Sequence, residues 1–135
     1  MLPTSWNEHA LPTFRRSESE TPRRRRARAA FLSIHAQYAE SEALLREELL
    51  LIEKAMGSDH PQIAFAAFAL ANVLREVKQD NEALELYERS RQVAEGMDEN
   101  HPFMPVLLEA YVGLLREMGD EERAAELEGR LRELG

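Results

Sequence analysis

The chain has 135 residues, 44% hydrophobic and 31% charged, with a formal net charge of -8 and no cysteine. That is one domain's worth of sequence, and the lack of Cys excludes a disulfide-stapled secreted scaffold, thiolate metal sites and cysteine nucleophiles. The acidic balance argues against nucleic acid as the main partner of the body, because phosphate binding needs clustered cations.

The charge is unevenly spread. Residues 1–29 hold seven Arg against three Glu, a balance of +4, whereas residues 30–135 hold ten Lys or Arg against 22 Asp or Glu, a balance of -12. Residues 1–21 mix Pro, Ser, Thr and Glu without an apolar period and are expected to form a flexible leader. Trp6, in this leader, reads as part of a flexible segment in preference to a docking anchor.

Pro22 opens a helical pattern in which Ala27, Ala30, Phe31 and Ile34 recur at three- and four-residue spacing, with a break expected near Ala36 and Gln37. A second helix is predicted from about Tyr38 to Met56, ending at Gly57, a residue suited to a left-handed cap. The connector Gly57-Ser58-Asp59-His60-Pro61 then starts a third helix, which runs to about Val77. Lys78-Gln79-Asp80 breaks it, and a fourth follows to about Glu95. Glu99-Asn100-His101-Pro102 repeats the connector and starts a fifth helix, ended by Gly119; Asp120 is placed to cap a sixth, to Gly135.

The longest apolar run, Ile63–Ala71, is too short to cross a bilayer, and no signal-peptide core is present. A cytoplasmic protein without membrane contact is expected.

The segments superpose in register. His60-Pro61 and His101-Pro102 are 41 residues apart, as are Ala83 and Ala124, and Ser41 and Ala83 are 42 apart. Each period is one antiparallel helix pair, and stacking such pairs is what creates a core. Leu70, Ala71, Leu74, Ala83, Leu86 and Tyr87, with a small residue at the helix crossing and an aromatic one turn later, resemble the tetratricopeptide repeat. Leu114, Leu115, Gly119, Ala124 and Leu127 fall on the matching positions of the third unit, and Leu32, Tyr38, Ser41, Leu44 and Leu45 on those of the first. The long period and the GSDHPQIA connector are similar to those of kinesin light chain repeats.

The resemblance implies an all-α, right-handed superhelical solenoid of about three antiparallel helix pairs over residues 22–135, with units at about 22–57, 58–97 and 98–135. Some residues depart from the pattern. Arg28 stands where the other units have Leu70 and Tyr111, so the first helix matches poorly, and Glu128 stands where Leu45 and Tyr87 do, which suits a capping face at the last helix.

The resemblance further implies a groove lined by the first helix of each pair, with Arg26, Phe65, Phe68, Asn72, Arg75, Glu109 and Arg116 as candidate peptide contacts. Such a groove would suit an extended or helical peptide carrying acidic groups, held by Arg. Asn72 takes the position whose Asn holds a peptide backbone in chaperone-binding members, but Ala30 and Gly113 stand at the equivalent positions, so the full carboxylate clamp is absent. His60 and His101, each before Pro, are read as helix caps or connector packing and not as ligands. With no phosphate loop, GxSxG or HExxH, no metal, cofactor or enzymatic activity is expected.

The expected function is protein–protein interaction, as a scaffold or adaptor, with self-association a further way to extend a short stack. An alternative is a nucleic-acid-associated regulator that binds through Arg23, Arg24, Arg25 and Arg26 while the repeats oligomerise. The acidic body offers that cluster an intramolecular partner, so nucleic acid is the less favoured reading.

Overall fold

The computed structural model of the chain describes residues 21–98 and 101–134, and at Phe31 the backbone only. The leader expected over residues 1–21, with Trp6 and His9, lies outside the described residues except for Thr21. Five helices and no strand occur among the described residues: α1 (Pro22–Met56), α2 (Pro61–Glu76), α3 (Asp80–Ala94), α4 (Phe103–Glu117) and α5 (Glu121–Leu134). The fold is an all-α repeat solenoid. The chain divides into two compact units, residues 1–37 and 38–135.

In the first unit, α1 starts where Thr21 Oγ1 accepts the Arg24 backbone N–H at 3.2 Å and Pro22 takes the first helical position, where a missing N–H costs nothing. The described side chains of residues 22–37 are all exposed.

One expectation is overturned here. The predicted break at Ala36 and Gln37 does not form, and the first two predicted helices are one helix, α1. The repeat register shows why: position 36 corresponds to Lys78 and Gly119, which turn the other two units at φ 66° and 86°. At both, the chain reverses through paired bonds, Lys78 N to Arg75 O and Gln79 N to Leu74 O, then Gly119 N to Arg116 O and Asp120 N to Leu115 O. A left-handed conformation costs an L-residue about 1–2 kcal/mol, and Ala is the best helix former of all. Ala36, between His35 and Gln37, therefore stays helical.

The second unit contains two antiparallel hairpins, α2 with α3 and α4 with α5, together with the Tyr38–Met56 half of α1. In α2, Ile63, Ala64, Ala67, Leu70, Ala71 and Leu74 recur at helical spacing and are buried. Ala71 and Ala83 have no exposed surface, and both lie in the one core cluster that α2 and α3 share. Ser90 Oγ donates to the Ala64 carbonyl at 2.7 Å, which satisfies the buried hydroxyl and ties α3 to α2. Leu107, Leu108 and Leu114 of α4 complete the core, each fully buried and worth about 1.5–3 kcal/mol over exposure. Leu49 and Ile52 bring α1 into it, and Arg46 clasps Glu82 on α3 through two bonds of 2.7 and 2.9 Å.

Two substitutions at the turns should have opposite signs. Gly119→Ala is expected to destabilise by about 1 kcal/mol, and Lys78→Gly to stabilise by a similar amount, in urea denaturation. Nothing lies near enough to Gly119 to clash with an added Cβ, so the loss there would be backbone strain alone. Ala83→Leu overfills the α2–α3 crossing and should cost about 1–3 kcal/mol, read as a lower thermal midpoint.

Candidate functional site

The face built by the first helices of the two hairpins, α2 and α4, carries six of the seven expected contacts. Phe65, Phe68, Asn72 and Arg75 lie along α2, and Glu109 and Arg116 along α4. The seventh, Arg26, is exposed and belongs to the unit of residues 1–37, as do Arg23, Arg24 and Arg25.

Position along the helices is set by the two His-Pro connectors. His60 Nδ1 accepts the Gln62 N–H and His101 Nδ1 accepts the Phe103 N–H, each at 3.1 Å. Both histidines thus cap helix starts, and among the described residues no group of three His, Asp or Glu is placed to hold a metal ion.

At one end of the face the rings form a cluster. Phe103 meets Phe65 edge-on at a centroid distance of 4.8 Å and Phe68 at 5.3 Å, and His101 lies 5.9 Å from Phe65. Phe68 is half-buried and continues into the core through Tyr87, but Phe65 remains 40% exposed and Val106, its register counterpart on α4, 52% exposed. Phe103 was not among the sequence candidates. Its register partner is Gln62, so the repeat pattern gave no reason to choose it; the aromatic residue directly after His101-Pro102 was the available signal.

Toward the other end the face is polar and already paired. The Tyr87 hydroxyl donates to Asn72 Oδ1. Arg75 donates to Glu117 at 2.7 and 3.3 Å and to the Ala110 carbonyl at 3.2 Å. A Cβ at Gly113 would stand 3.1 Å from Arg75 Nη2, so the small residue leaves room for the guanidinium to cross α4. The hydrogen bonds from Arg75 hold the Glu117 carboxyl below its ordinary range, and those to Glu117 raise Arg75 in turn. Arg116 is bound by Glu128 at 2.8 and 3.0 Å and by Glu121 at 3.4 Å.

Both arginines of the second unit that were expected to meet acidic groups already hold carboxylates, while Glu76 and Glu109 stand exposed nearby. The resemblance supplied these candidates; the carboxylates that answer the arginines come from other helices.

Behind the face, Tyr87 stacks on Tyr111 at 5.8 Å, and burial raises both hydroxyls. Tyr111 donates to Glu88 at 2.8 Å, and Arg91 and Arg123 bind the same carboxylate. Burial disfavours the Glu88 charge, but hydrogen bonds from Arg91 and Tyr111 and the charges of Arg91 and Arg123 outweigh it. The carboxyl is held down at about 2 from its ordinary 4.5. This junction joins α3, α4 and α5.

Residues 25–96, just over half of the chain, match the family model of the tetratricopeptide repeat. The chain belongs to the tetratricopeptide repeat family. The match begins within α1, although the turn expected at Ala36 is missing. Tetratricopeptide repeats are generally protein–protein interaction modules and form a non-catalytic scaffold. A search of curated proteins returned no match to the chain. Among the described residues, no helix is long and apolar enough to cross a membrane.

The Glu88 junction should show in the acid limb of stability. A carboxyl with a lowered folded pKa contributes stability above its unfolded pKa and loses it as pH falls through the folded value. Glu88→Gln is expected to cost about 1–2 kcal/mol near neutral pH after allowing for solvent screening. In urea titrations its deficit should shrink between about pH 5 and the folded pKa of about 2.

Proposed function

We propose that this tetratricopeptide repeat protein is a non-enzymatic adaptor that binds a peptide segment of another protein across the α2–α4 face. The observation that carries this reading is the exposed Phe65, met edge-on by Phe103, with Val106 exposed three residues along α4 from Phe103. A rigid aromatic platform that needs no reordering is a favourable anchor for a buried apolar side chain.

The polar end sets the rest of the ligand. Glu109 and Glu76 are exposed, while Arg75 and Arg116 are held by carboxylates, so a basic residue gains more there than an acidic one. The side-chain NH2 of Asn72 is not used by the Tyr87 bond and remains a donor for a peptide carbonyl. The expected ligand is a short segment with one large apolar side chain and at least one Lys or Arg.

Selection from a displayed random peptide library would test this, with binding of the selected peptides followed by chemical-shift mapping. Peptides of that composition should perturb the Phe65, Phe103 and Val106 amides. Phe65→Ser with Val106→Glu should weaken binding by at least about tenfold, since loss of one anchor costs about 1–2 kcal/mol or more. Both residues are exposed enough for the variant to remain folded. Equal binding by the folded variant, or shifts mapping elsewhere, would reject this face.

A further inference from the structure

The proposed function leaves the start of α1 unused. Residues 22–37 hold five Arg and no acid. Arg23, Arg24, Arg25 and Arg26 are consecutive, and Arg28 follows one residue on. Each residue of a helix stands about 100° around the axis from the last, so these arginines surround α1 where a one-sided pattern would form a stripe. All five are exposed. Arg23, Arg24 and Arg26 take no carboxylate among the described residues, so the acidic partner that the charge balance offered within the chain does not hold them.

The side chains beside them narrow the choice of partner. Residues 22–30 contain only Pro, Arg and Ala. A protein interface is anchored by large side chains buried in pockets, and this segment has no apolar or aromatic one to bury. A helix that lies on a bilayer buries an apolar face, but here arginines stand all around the axis. Single-stranded nucleic acid is held by aromatic rings on which bases stack, and residues 22–30 have none. A phosphate backbone asks only for clustered cations and hydrogen-bond donors, and each guanidinium supplies both in a fork that matches phosphate.

The arrangement around the axis selects the form of nucleic acid. Arg23 and Arg26, three residues apart, share one side of the helix, and Arg24 and Arg28, four apart, share another. Two basic sides suit a groove with a row of phosphates on either hand. The major groove of B-form DNA is about 12 Å wide and admits an α-helix, whose diameter with side chains is about 10–12 Å. The major groove of A-form RNA is deep and narrow, a poorer fit.

We propose that residues 22–30 of α1 bind duplex DNA by lying in the major groove. Arg23 and Arg26 contact the phosphates of one strand, Arg24 and Arg28 those of the other, and Arg25 extends the positive surface between them. Contacts to phosphate carry no sequence information, so binding depends on salt and little on base sequence. The net charge of -12 on residues 30–135 opposes tight binding, which puts the affinity in the range of non-specific complexes, about 10⁻⁴–10⁻⁶ M at physiological salt. The arginines belong to the unit of residues 1–37 and Phe65 and Val106 to the other, so this inference does not rest on the peptide-binding reading.

Fluorescence anisotropy of a labelled mixed-sequence DNA duplex, titrated with the full chain over a range of low salt concentrations, tests the proposal. The logarithm of the association constant should fall linearly with that of the salt concentration, with a slope of about -2.7 to -4.5 for three to five phosphate contacts. Arg23→Ala, Arg24→Ala and Arg26→Ala together should weaken binding at least about tenfold and reduce the slope by more than about half. Ala is the strongest helix former, so the circular dichroism of this variant should match the parent's. The unlabelled duplex should also compete better than equal concentrations of charge on single-stranded DNA, double-stranded RNA, polyglutamate or phosphatidylserine vesicles. No binding at the lowest salt, undiminished binding by the arginine variant, or a competitor that matches or surpasses the duplex each overturns the proposal.

Discussion

A repeat hairpin exists only where the backbone can leave the right-handed helix for one residue and return. In the two hairpins that residue is Lys78 or Gly119, at positive φ, followed by a bond to a carbonyl five residues back. The conformation is intrinsically unfavourable for Lys and freely available to Gly, so the surrounding packing of Ala71 on Ala83 and of Leu107 and Leu108 on the neighbouring helices must hold it. Where that position is Ala36, helix propensity prevails and the hairpin becomes a single helix.

The candidate face follows from the same constraint. Two sharp turns make α2 and α4 the neighbouring first helices of successive pairs, and the His60 and His101 caps set where each begins. Phe103 can then bridge Phe65 and Phe68, and Arg75 can cross Gly113 to reach Glu117. The result is a surface with one apolar end and one polar end whose cations are already answered. Charge on such a face works through what remains exposed, and here that is carboxylate.

Much of this was legible in the residue pattern because helix starts, stops and small-residue crossings depend on local chemistry. His-Pro connectors 41 residues apart, Gly57 and Gly119 at left-handed stops, and Ala71 and Ala83 at the crossing all took their expected roles. The first unit was misjudged because apolar periodicity continues through Ala36, and periodicity does not distinguish one long helix from two. Phe103 was missed because its importance comes from ring contacts with another helix, not from its place in the repeat.

By itself, then, the sequence determined the helical class, the repeat length and the helix ends apart from the missing turn, since each rests on spacing of about 3.6 residues per turn and on caps within a few residues. Only the tertiary structure decided that Arg75 and Arg116 are bound, that Asn72 receives the Tyr87 hydroxyl, and that Leu44 and Leu51 stand exposed where their counterparts are packed. These depend on groups tens of residues apart meeting in space, and such distances are set by packing, which no local pattern encodes.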